Sequence, residues 1–311
     1  MSPLSEKMPE KAVKQASAAA ASNDRTLFEQ AWIQFRRNRR AMIGLFIIIV
    51  LFLIVIATVL IDFFTSDSVY ANYVIKQNLA NKLAKPSWQH ILGCDEFGRD
   101  MLFRILWGAK YSLLLGFSAV ALSFLIGGPP GMFAGFYGGR MDNIIMRIMD
   151  IFMACPFILL AMAIVSALGA STVNLLIALG VSGMASFSRI ARAAVMSVKD
   201  KEFVEAARAV GASDFTIIFK YILPNAMAPI LVQLTLRIGS SILYVAGLSY
   251  IGLGIQPPTP EWGAILTAAK IYMRNAWHIS AFPGLFLVIT VVAFNLFGDG
   301  LRDALDPKLK K

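Results

Sequence analysis

The chain has 311 residues, of which 57% are hydrophobic and only 15% charged, with a formal net charge of +10. Soluble domains carry about a quarter charged residues, so this composition suits a bilayer rather than water and excludes an ordinary soluble enzyme. The basic excess sits beside apolar runs, where it sets membrane orientation rather than contacting nucleic acid, and Cys94 and Cys155 are too few for a disulfide framework and lack metal or redox spacing.

Residues 1–26 are rich in Ala, Ser, Lys and Glu and read as a polar tail. With the amphipathic, arginine-dense stretch FEQAWIQFRRNRR they make up an expected cytoplasmic N-terminal region, residues 1–40. The apolar run 41–61 is long enough to cross a hydrocarbon core of about 30 Å. It starts too far into the chain, and lacks the small-residue cleavage site, to be a signal peptide. Arg36, Arg37, Arg39 and Arg40 ahead of it place the N-terminus in the cytoplasm.

Residues 62–110 predict an external loop. Within it, HILGCDEFGRDMLFRILWGAK has the spacing of a short helix lying on the membrane surface, because Leu102, Ile105 and Leu106 alternate with Arg99, Arg104 and Lys110. A membrane core over 111–300 follows, with spans expected at about 111–136, 144–168, 172–189, 226–254 and 277–298. The cluster Gly127, Gly128, Pro129, Pro130, Gly131 predicts a break or kink in the second span, with close packing as the alternative, and Cys155 and Pro156 predict a kink in the third. GIQPPTPEWGAIL forms an external loop leading into a short helix near 264–274, and residues 301–311 form a second cytoplasmic tail. The fold class is therefore an all-α membrane protein of six spans with both termini inside.

Between the fourth and fifth spans lies KDKEFVEAARAVGASDFTIIFKYILP, residues 199–224, which is charged yet helically patterned. Phe203, Ala206, Ala207 and Val210 share one helical face. Gly211 stands where a helix C-terminus wants a residue free to take positive φ, and Ser213 or Asp214 can cap a second helix whose apolar positions are Phe215, Ile218, Phe219 and Ile222. Helix, tight turn, helix, closed by Pro224, is the expectation for this cytoplasmic loop.

The chain offers little chemistry of its own. No GxxxxGK[ST] stretch, nor any Gly-Lys pair, is present to cradle nucleotide phosphates. His90 and His278 are far apart and in no metal-ligating motif, and no nucleophile elbow occurs, so no catalytic, cofactor or metal residues are assigned. Arg237, in LTLRIGSSILY, is the one ionised side chain committed to bilayer depth. Facing lipid it would cost several kcal/mol, so it faces protein or a hydrated cavity. There it either serves the substrate pathway, attracting a carboxylate such as a peptide C-terminus, or satisfies a neighbouring polar group.

Glu205, Ala206, Ala207 and Gly211, followed by Leu223 and Pro224, reproduce the EAA spacing and resemble the cytoplasmic loop of bacterial ABC importer permeases. Together with HILGCDEFGRDMLFRILWGA, MDNIIMRIMD, YILPNAMAPI, IGLGIQPPTPEWG and FNLFGDGLRDALDPKLK, the pattern is similar to the second permease subunit of the dipeptide, oligopeptide and nickel importers. The resemblance implies a type I importer permease fold in a bacterial inner membrane, with a homologous first permease subunit as partner. It also implies two cytoplasmic ATPase subunits that bind the ATP and Mg absent from this chain, and an external or periplasmic solute-binding protein. By the same resemblance Glu205, Ala206, Ala207, Arg208 and Gly211 dock on an ATPase subunit. The implied cargo is a short peptide, with glutathione or a nickel chelate as alternatives, and a membrane scaffold without transport is the rival class.

Overall fold

The computed structural model describes residues 27–305. The polar tail expected over 1–26 and residues 306–311 of the expected C-terminal tail lie outside the described residues. Among the described residues the long elements are all helical: α1 (Leu27–Arg37), α2 (Arg39–Thr65), α3 (Met101–Tyr137), α4 (Gly139–Met153), α5 (Phe157–Leu168), α6 (Thr172–Met196), α7 (Glu202–Ala209), α8 (Asp214–Tyr250), α9 (Trp262–Ala269) and α10 (His278–Leu305). Of these, α2, α3, α6, α8 and α10 are long and apolar enough to cross a membrane, and α4 with α5 makes a sixth crossing if that pair, bent by 81°, counts as one. The bend falls at Cys155 and Pro156, because proline donates no backbone N–H and biases the residue before it away from helix.

Helix α2 shows why the first apolar run forms a helix at all in this position. Asn38 interrupts the arginine-rich approach and caps α2, its side-chain oxygen accepting from the Arg40 and Ala41 amides. Ala41, Gly44, Ile48 and Leu51 then make a narrow buried stripe, against α10, while Ile43, Phe46, Leu53, Ile56 and Phe63 stay exposed. An apolar side chain left outside a bundle suits lipid and not water. The preceding amphipathic helix α1 tucks Ala31 and Phe35 against Ala304 and Leu301 near the end of α10.

Helix α3 overturns one expectation and bears on a second. The stretch read as a separate surface helix is instead the opening of α3, which runs unbroken for 37 residues, about 55 Å at 1.5 Å per residue. Asp100 caps it, accepting from the Leu102 and Phe103 amides. The charges taken for a solvated face are buried: Arg99 and Arg104 are each 4% exposed and both reach Asp95, while Glu96 also accepts from Arg99. Helical spacing cannot distinguish a wet charge from a paired one, and here pairing wins.

The glycine–proline cluster neither breaks nor ends the helix, since α3 continues through Pro129 and Pro130 to Tyr137. Gly127, Gly131 and Gly135 instead lie against the α6 backbone, where an added Cβ would meet the carbonyl oxygens of Met184 at 2.0 Å, Ser188 at 2.0 Å and Arg192 at 2.7 Å. Small residues every fourth position let two helix backbones approach within a bilayer, where lipid is as apolar as leucine and contact must come from packing. α3 and α6 are accordingly the most extensively packed helix pair. At the far end, Asp142 of α4 accepts two hydrogen bonds from Arg192 of α6, at 2.5 and 2.6 Å.

Candidate functional site

Helix α7 is one side of a compact helix–turn–helix whose turn follows from its residues. Gly211 has φ +83°, the Ala212 amide donates to the Ala207 carbonyl and the Gly211 amide to the Arg208 carbonyl. This is the double hydrogen-bond pattern of a left-handed helix C-terminus, which glycine adopts without a Cβ penalty. Ser213 then starts α8, its hydroxyl oxygen accepting from the Thr216 amide.

The second helix of the loop does not stop at Pro224. It passes through a π-turn, Ile217–Ile222, directly into the long fifth apolar segment, so that α8 is one rod from Asp214 to Tyr250. Proline is tolerated in the first turn of a helical segment because its missing N–H has no α-helical partner to lose there, and the wider π-turn supplies such a junction. The Asn225 side-chain amide donates to the Tyr221 carbonyl beside it.

The apolar positions of the loop divide between two faces, which periodicity alone did not separate. Val204, Ala207, Ile217, Ile218 and Ile222 are buried with Met132 and Phe136 of α3 and Ala191, Ala194 and Val195 of α6. Phe203, Val210, Phe215 and Phe219 are exposed, Val210 at 83% and Phe215 at 68%, and the Phe215 and Phe219 rings lie 4.4 Å apart. Of the residues singled out from the sequence, Glu205, Ala206 and Arg208 are exposed, whereas Ala207 points inward and is 4% exposed. The Arg208 guanidinium lies 5.4 Å from the Phe136 ring centroid, and Gly211 has no neighbour within 4 Å of the place a Cβ would take. The five residues share one structure but not one surface.

Arg237 lies apart from this loop, midway along the portion of α8 from Leu223 to Tyr250. It lines a small cleft between α3, α5, α6 and α8, and its Nη2 donates to Ser186 Oγ at 2.5 Å.

At the opposite end from α7, a set of polar contacts missed by the sequence reading closes the bundle. Glu261 is fully buried and caps α9, its carboxylate accepting from the Gly263 and Ala264 amides, both at 2.8 Å, and from Ser112 Oγ. Burial pushes the Glu261 carboxyl above its usual range, opposed by those donors. Trp262 donates its indole N–H to the Ile105 carbonyl, and His278 Nε2 lies 3.3 Å from the Cys94 carbonyl. Burial also raises the Cys94 thiol, to about 11, so it stays protonated and inert. For the neighbouring Asp95–Arg99–Arg104 cluster a signal was present, since opposite charges three and four residues apart in Asp95, Glu96 and Arg99 allow internal pairing.

Apolar helices long enough to cross a bilayer, with a small cleft among them and a helix–turn–helix packed at one end, define a multi-span membrane subunit. The chain belongs to the binding-protein-dependent transport system inner membrane component family, whose model matches residues 127–311, and residues 26–86 match the N-terminal transmembrane domain of oligopeptide transport permease C. It is 44% identical over 283 residues to the dipeptide transport system permease protein DppC of Alkalihalophilus pseudofirmus, covering 91% of this chain and 90% of the relative. It is also 44% identical over 286 residues to the glutathione transport system permease protein GsiD of Escherichia coli, covering 92% of each. Among solved structures it resembles the inward-facing MetNI methionine ABC transporter, with a TM-score of 0.55 and 23% identity over 66% of this chain and 98% of that one. That likeness concerns the fold. The protein is a non-catalytic, multi-span permease subunit of an ABC importer of the bacterial inner membrane.

Proposed function

We propose that this chain forms half of the pathway by which an ATP-driven importer takes up short peptides. A homologous first permease subunit forms the other half, an external or periplasmic solute-binding protein delivers the cargo, and two cytoplasmic ATPase subunits bind ATP and Mg. Both termini lie in the cytoplasm in this reading, which the arginines at the start of α2 support through the positive-inside rule. One ATPase subunit docks on α7 and the start of α8.

The observation that carries the docking is the divided face of that helix pair. One side is packed on α3 and α6, while Glu205, Ala206, Arg208, Val210, Phe215 and Phe219 stand exposed beside it. Ala207 then acts from behind the surface by seating α7, and the exposed Gly211 acts by setting the turn. Closure of the ATPase pair upon ATP pushes on this surface, and the unbroken α8 passes the displacement into the bundle as a rigid-body rocking.

Peptide cargo is supported by the dipeptide permease among the relatives. Glutathione, itself a small peptide, is the second reading, supported by the glutathione permease at the same identity. Uptake of labelled dipeptide into vesicles holding the complete importer tests both, with unlabelled glutathione and nickel chelate as competitors. Competition by dipeptides alone supports the first reading, and displacement by glutathione at lower concentration supports the second. Uptake by this polypeptide alone, without nucleotide or companion chains, would refute both.

A further inference from the structure

Helix α8 carries Arg237 about 20 Å from either end of its Leu223–Tyr250 portion, at 1.5 Å per residue. A guanidinium at bilayer depth costs several kcal/mol unless it is paired or hydrated. Arg99, Arg104, Arg189 and Arg192 each face a carboxylate, but among the described residues none pairs with Arg237. Its one partner is the Ser186 hydroxyl, which occupies a single donor of five.

The cleft around it is small in this conformation and has mixed polar and apolar walls. Ser240 and Ser241 bring hydroxyls to its wall, the Ser123 hydroxyl there donates to the Ala119 and Leu179 carbonyls, and the Phe157 and Tyr244 rings close another side, their centroids 4.4 Å apart. Ser182, one helical turn before Ser186, holds a buried hydroxyl with no partner. The walls come from four helices of this chain, so the charge faces protein and the cleft rather than hydrocarbon. A resident carboxylate would cancel the positive charge permanently, whereas its absence leaves a planar fork that matches a carboxylate arriving from outside.

We infer that Arg237 and the serine hydroxyls around it form a transit subsite for the carboxylate of the cargo peptide. The inference rests on the peptide reading given above. Binding there is brief because the carboxylate trades water for one guanidinium and neutral hydroxyls, without a second cation to hold it.

The test compares uptake of one dipeptide as its free acid and as its C-terminal amide, in vesicles holding the complete importer with wild-type, Arg237→Gln or Arg237→Lys chain. The solute-binding protein is the same throughout, so its own preference cancels when acid-to-amide ratios are compared between variants. A charged hydrogen bond lost to the acid alone lowers the ratio in Arg237→Gln by about tenfold, while Arg237→Lys, which keeps the charge without the fork, retains discrimination. Uptake of both peptides by Arg237→Gln at the wild-type ratio overturns the subsite and leaves the peptide reading standing. If the wild-type importer takes up neither peptide, the peptide reading falls and the subsite with it. If Arg237→Gln does not assemble, the neutral and similarly long Arg237→Met decides: a lowered acid-to-amide ratio supports the subsite, and the wild-type ratio refutes it.

Discussion

Gly211 offers a way to test the proposed docking of the α7–α8 loop apart from the folding of the bundle, because most other residues are strained there while an added side chain would meet no neighbour. Its φ is +83°, and a Cβ placed there would meet no atom within 4 Å. The cost of Gly211→Ala is therefore backbone strain alone, about 1–2 kcal/mol for an L-residue held in the left-handed region. A β-branched valine costs more, while asparagine tolerates that region. If the turn relaxes to avoid the strain, the Ala212–Ala207 and Gly211–Arg208 hydrogen bonds open and α7 swings relative to α8. A penalty of one or two kcal/mol leaves the docking geometry about 5–30-fold less populated. The assay is uptake per ATP hydrolysed in vesicles containing all subunits, together with co-purification of the ATPase subunits. Insertion stays at the wild-type level in every variant, and coupling falls in the order glycine, asparagine, alanine, valine. Full coupling in Gly211→Val, or a loss in Gly211→Asn as large as in Gly211→Val, would refute the role assigned to the turn.

Gly131→Leu places a side chain against the Ser188 carbonyl, which as backbone cannot yield, so separation of α3 from α6 costs at least the 1–3 kcal/mol usual for overpacking. Thermal unfolding of the detergent-solubilised complex should show a lowered midpoint, and an unchanged midpoint would argue against the close glycine seam. Glu96 tests the buried outer cluster through pH. Burial first, and Asp95 second, raise its carboxyl above the ordinary value of 4.5. The folded state therefore binds the proton more tightly than the unfolded one, so this group's contribution is fully present below the ordinary carboxylate range and is lost as pH rises through the raised value. The melting midpoint should rise as pH is lowered from neutrality toward that range, and Glu96→Gln should remove this group's part of the rise.

Much of the architecture was legible because the bilayer imposes a simple rule: a segment without charges for twenty or more residues must satisfy its own backbone, and only a helix does so. The apolar runs, the arginines beside them and the Gly211 turn each carry such a local signal. The continuation of α3 through Pro129 and Pro130 does not, because whether proline ends a helix depends on what else satisfies the backbone around it. Spacing of Gly127, Gly131 and Gly135 held the better clue, yet only the arrival of the α6 backbone opposite them makes them a seam.

The sequence by itself determined which segments are apolar enough to cross a bilayer, that a charged helical loop separates two of them, and that Arg237 falls within one. Tertiary structure decided which face each amphipathic element turns inward: Val204 and Ala207 rather than Phe203 and Val210, and Arg99 and Arg104 into a buried cluster rather than out to water. It also decided that Arg237 meets a hydroxyl and, among the described residues, no carboxylate. Helical periodicity depends on neighbours along one chain segment, whereas burial and ion pairing depend on which other segment arrives opposite, and that is settled only when the helices pack.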